Sequence, residues 1–145
     1  MTIKSKTILF ATDFSSASEE AFEHALDLAK TNHAELFLLH VIQPEEVLEP
    51  GFSTSLEQKN EELLNELLAI AKQNEVSTEI KLTTGIPSEI IIKTADELNC
   101  GLIVLGTHGR TGLTRLLMGS TAEMVLRKSN KTVLVVKSAH PISAE

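Results

Sequence analysis

The chain has 145 residues, 42% hydrophobic and 23% charged, which leaves room for one ordinary globular core and little else. A net charge of −7 and an aromatic content of 3%, with no Trp or Tyr, argue against a nucleic-acid partner, which needs basic surface and exposed rings. The first apolar run, Ile8 to Phe10, is too short for a signal peptide or a membrane span, and the lone Cys100 cannot close an internal disulfide. A cytoplasmic protein without a membrane partner is therefore expected, with Cys100 as a buried structural thiol.

Short apolar runs alternate with stretches of helical period. Ile8 to Ala11 reads as a first strand. A helix follows from about Ser16, with Phe22, Ala25, Leu26 and Ala29 at i, i+3, i+4, i+7 spacing and Ser16 with Glu19 as a capping box. Leu36 to Val41 is a second strand. Gln43 to Ser55, punctuated by Pro44, Pro50 and Gly51, reads as a long mobile or functional loop. A helix from about Leu56 to Asn74 carries Leu63, Leu64, Leu67, Ile70 and Ala71 on one face. Glu79 to Thr83 alternates polar and apolar residues, the mark of a strand with one wet face or an edge position. Pro87 opens a third helix bearing Ile90, Ile91, Ala95 and Leu98. Leu102 to Leu105 is a fully apolar strand. Ser120 opens a fourth helix, and Thr132 to Val136 is the last strand.

Strands separated by helices cannot be hairpins, so right-handed crossovers join them into a parallel sheet with helices on both faces. In such a fold ligands bind beyond the carboxyl ends of the strands, where the winding reverses.

The fourth strand runs into Gly106-Thr107-His108-Gly109-Arg110-Thr111-Gly112, and Gly119-Ser120 precedes the next helix. Glycines let backbone approach a ligand closely, and free N–H groups at a helix N-terminus suit phosphate. There is no GxxxxGK[ST] and no GxGxxG after the first strand, so neither common phosphate loop is present. On spacing alone Ser120 is a helix cap with Glu123 or a phosphate donor. Asp13, just after the first strand, reads on its own as an Asx-turn former or an N-cap of the first helix. Arg110 and Arg115 either screen phosphate charge or are solvated. No GxSxG nucleophile elbow accompanies Asp13, His108 and Ser120, and His33, Glu35 and His40 do not converge like a metal-ligand set, so neither a serine hydrolase nor a metal site is expected.

The full spacing, Gly106-x2-Gly109-x9-Gly119-Ser120, resembles that of ATP-binding members of the universal stress protein family. The resemblance extends to Ile8-Leu9-Phe10-Ala11-Thr12-Asp13-Phe14-Ser15, Leu39-His40-Val41 and Val133-Leu134-Val135-Val136-Lys137. It implies one domain over residues 1–145, with the adenine nucleotide α-hydrolase-like fold: a five-stranded, doubly wound parallel sheet of order 3-2-1-4-5 between two helical layers. It implies ATP as the ligand, with Mg2+ carried by the nucleotide. Asp13 would contact the nucleoside beside Ala11, and the Val41 backbone would read the adenine edge. Leu105 and Gly106 would form the floor, with Gly109, Gly119, Ser120 and Thr121 cradling phosphate and His108 at a contact position. A nucleotide-dependent stress-response switch is the function this implies; a slow ATPase or self-phosphorylating enzyme and a dimeric scaffold without nucleotide are the alternatives. The apolar last strand, Val133 to Val136, would pair two copies of the chain if it lies at a sheet edge.

Overall fold

The computed structural model describes residues 6–47, 52–107 and 119–137. Five strands, β1 (Thr7–Ala11), β2 (Glu35–Ile42), β3 (Thr78–Thr84), β4 (Leu102–Gly106) and β5 (Val133–Val136), form one parallel sheet in the order β3-β2-β1-β4-β5. Four helices link them: α1 (Ser16–Asn32), α2 (Phe52–Gln73), α3 (Pro87–Leu98) and α4 (Ser120–Lys128). The expected sheet order and three-layer arrangement are what the structure has.

The two faces of the sheet divide by strict alternation, because successive side chains on a strand point to opposite sides. Ile8, Phe10, Leu36, Leu38, Leu102 and Val104 pack against Ala21, Phe22, Ala25 and Leu26 of α1 and Leu64 and Ala71 of α2. Leu9, Ala11, Leu39, Val41, Ile103 and Leu105 pack against Ile91 and Ala95 of α3 and Ala122 and Val125 of α4. The three central strands are buried on both faces, which is why they read as unbroken apolar runs. β3 alternates because it is an edge strand, with Glu79 and Lys81 exposed.

Two expectations at helix starts are corrected. The N-cap of α1 is Ser15, whose hydroxyl accepts from the Ser18 amide at 3.2 Å, and not Ser16. Asp13 already shapes the preceding turn, so the helix begins one residue earlier than a Ser16 cap allows. The N-cap of α4 is Gly119, with no side-chain cap; Ser120 is inside the helix and Glu123 pairs with Arg127 at 2.8 Å. The Gln43–Ser55 stretch is also shorter as a loop than expected. Pro44–Val47 is a 3-10 turn and α2 starts at Phe52, about one turn before Leu56.

Candidate functional site

The chain winds outward from β1 through β2 to β3, then crosses to the other side of β1 to form β4 and β5. At that reversal, the carboxyl ends of β1, β2 and β4 open into a crevice of about 600 Å³. That volume lies within the usual range for small-molecule sites, about 300–1,000 Å³.

Backbone hydrogen bonds fix its walls. Thr12 N donates to Leu39 O at 2.9 Å, fastening the end of β1 to β2. Thr107 N donates to Val136 O at 2.9 Å, and Gly119 N donates to Thr107 O, so the start of α4 is tied to the end of β4. The first amides of α4 and the positive end of its dipole therefore border the crevice.

Of the residues singled out from the sequence, Ala11, Asp13, Val41, Leu105, Gly106, Gly119, Ser120 and Thr121 all line this one crevice. They come from three strand ends and one helix start. His108, Gly109, Arg110 and Arg115 lie outside the described residues. Ser120 is exposed and spends its hydroxyl on no cap, which leaves it open to a ligand.

Asp13 forms the Asx-turn and also stands on the wall of the crevice. Its Oδ1 accepts from Ser15 N at 3.0 Å, closing an Asx-turn, and from Ser18 Oγ at 2.8 Å, while the residue lines the crevice. His40 supports the same turn from below: its Nδ1 lies 2.6 Å from Thr12 O. A carbonyl only accepts, so Nδ1 carries the proton. The ring also stacks against Phe14, centroids 4.5 Å apart, where Phe14 holds a φ of 64°. A histidine inside an apolar strand thus serves as a hydrogen-bonded structural group.

Several lining residues escaped the sequence reading. Thr107 is 8% exposed, and its buried Oγ1 has no hydrogen-bond partner among the described residues. Gln43, Glu45 and Glu46 reach the crevice from the stretch read as a loop. Ser18 reaches it from inside α1, and the Asp13-x-Ser15-x2-Ser18 spacing was the signal that could have found it. The carboxylates on the lining are Asp13, Glu45 and Glu46, and no described lining residue is Lys or Arg. Among the described residues no three His, Cys, Asp or Glu side chains gather as a metal site, and no helix is long and apolar enough to cross a membrane.

The sequence model of the universal stress protein family matches residues 4–137. Universal stress protein MJ0577 from Methanocaldococcus jannaschii is 35% identical over an alignment of 158 residues, covering 94% of this chain and 98% of that protein. Its solved structure superposes with a TM-score of 0.80 over 95% of this chain and 99% of that one, at 36% identity. A universal stress protein solved in complex with cAMP gives a TM-score of 0.72 at 24% identity, covering 93% and 98% of the two chains. One from Archaeoglobus fulgidus in complex with dAMP gives 0.66 at 21% identity, covering 93% and 99%.

Proposed function

Because the chain belongs to the universal stress protein family, we propose that it is a cytoplasmic adenine-nucleotide-binding module, one domain whose ligand is ATP with its accompanying Mg2+. The observation that carries this reading is the convergence of Asp13, Val41, Gly119, Ser120 and Thr121 on one crevice at the winding reversal. The donor set fits the ligand's polarity. Amides of α4 and the Ser120 hydroxyl suit phosphate oxygens, while a carboxylate across the crevice suits the hydroxyl and amine donors of a nucleoside. The buried Thr107 hydroxyl is a further group that a polar ligand would satisfy. The cAMP and dAMP complexes, at 24% and 21% identity, speak for what the fold accommodates; the assignment to this chain rests on its own crevice.

We read the module as a switch, with a slow ATPase or self-phosphorylating enzyme as the alternative. Efficient transfer needs a cation clamped on the phosphates and a placed base. The described lining supplies no Lys or Arg, and Asp13 is committed at one oxygen to the turn it builds.

Thermal unfolding with ATP, AMP, GTP and cAMP tests the binding. A ligand at 100 times its Kd stabilises by about 2.7 kcal/mol, which for this size is a rise of about 6–11 °C in Tm. ATP or AMP should give it and GTP should not. Equal shifts with all four, or none, would remove the adenine reading. Single-turnover hydrolysis of labelled ATP should show no turnover above the uncatalysed rate.

We also infer that two chains pair through β5. It is the last strand of the sheet, its only described neighbour is β4, and Val133, Leu134 and Val135 are all partly exposed. An apolar strand at an open edge is a template for a second copy.

A further inference from the structure

The hydrogen bonds of Asp13 are unevenly divided between its two carboxylate oxygens. Oδ1 receives both, from Ser15 N at 3.0 Å and from Ser18 Oγ at 2.8 Å. Oδ2 receives none among the described residues, although Asp13 lines the crevice. The donor that makes the difference is Ser18, which is 3% exposed and lies in the first turn of α1. Its hydroxyl is held from both sides. It accepts from Asp13 N at 3.3 Å, so its proton is directed at Oδ1. Its own amide donates to Ser15 Oγ at 3.2 Å, which fixes the residue at the helix start.

The geometry points to Ser18 as a positioning residue that clasps Oδ1 and presents Oδ2 of Asp13 to the nucleoside; this rests on the crevice being a nucleotide site. The torsion that turns an Asp carboxylate is soft and roughly two-fold, so one hydrogen bond from Ser15 N leaves the group free to swing about its axis. A second donor, itself buried, stops that swing. The carboxylate then meets the ligand already oriented, and less of the binding free energy goes into ordering it. The amides of α4 belong to a helix packed on the opposite face of the sheet from α1, so the phosphate end of the crevice should keep its grip when Ser18 is changed.

The test is isothermal titration of the whole chain with ATP, with adenosine and with inorganic pyrophosphate, on the wild type, Ser18→Ala and Asp13→Ala. Ser18→Ala keeps the helix and removes only the hydroxyl. We expect it to weaken ATP and adenosine by the same factor, about three- to tenfold, with pyrophosphate unchanged and a loss no larger than that of Asp13→Ala. Wild-type affinity for adenosine in Ser18→Ala would overturn the clasp while leaving the nucleotide reading standing. Equal weakening of pyrophosphate would overturn it too, since that is what general loosening of the fold produces. A wild-type chain that binds neither ATP nor adenosine would overturn the nucleotide reading, and the clasp with it.

Discussion

A β-carbon at Gly106 would lie 2.9 Å from the backbone carbon of Ala17 and 3.0 Å from both the Ala17 β-carbon and the Ser18 amide. Those neighbours are helix backbone and cannot yield alone, so the glycine is there for space: it lets α1 lie directly on the end of β4. Gly106→Ala should therefore push α1 outward and cost about 1–3 kcal/mol, read as a lower urea midpoint. It should also weaken ATP binding, since the displaced turn carries Ser18 and Asp13. Cys100 makes a second residue-scale case. It is buried below α3, and burial pushes its thiol above the ordinary value of 9.0. A raised folded-state pKa gives a contribution that is complete below the unfolded thiol's pKa. That contribution is lost as pH rises toward the folded value. Stability should accordingly fall more steeply above about pH 9 in the wild type than in Cys100→Ala. Equal slopes in urea titrations would contradict this.

Among the elements, the helices show where local rules end. The α1 cap is a side-chain cap, so Ser15→Ala should cost about 1 kcal/mol in denaturant unfolding; Ser16→Ala, outside the cap, should cost only a few tenths. The α4 start has no side-chain cap at all. At the opposite ends, α1 and α3 close on left-handed His33 and Asn99, and a lysine reaches each terminus: Lys6 Nζ to Asn32 O at 3.0 Å and Lys131 Nζ to Asn99 Oδ1 at 2.7 Å. Cations there complement the helix dipoles. Uncapped amides thus face the crevice at α4 while cations gather at the other end of the sheet.

For the whole molecule, the direction of each β5 backbone group decides how a second chain would dock. Ile103 N donates to Thr132 O and Thr107 N to Val136 O, both at 2.9 Å, so alternate residues 132, 134 and 136 face β4. The N–H and C=O of Val133 and Val135 then face the open edge, since both groups of one strand residue point the same way. Val135→Pro removes an outward N–H without breaking the β4 pairing. Sedimentation at micromolar concentration should give a dimer for the wild type and a monomer for Val135→Pro, with unchanged far-ultraviolet dichroism. A wild-type monomer would rule out the pairing.

By itself, the sequence determined the five strands, the four helices and the address of the site. Apolar periodicity and strand–helix alternation are consequences of burial that any local window carries, and the Gly106, Gly119 and Ser120 spacing reads along the chain. The helices begin at Ser16 and Ser120 as read, but their N-caps, Ser15 and Gly119, and the turn at Pro44–Val47 were not legible, because capping competes among neighbouring hydroxyls and carboxylates whose directions depend on packing. Only the tertiary structure decided that Thr107, Glu46 and Ser18 share the crevice with Asp13, and that Ser18 holds one of its oxygens. Such meetings depend on how strands from distant parts of the chain register and how closely a helix approaches a glycine, and no local pattern encodes either distance.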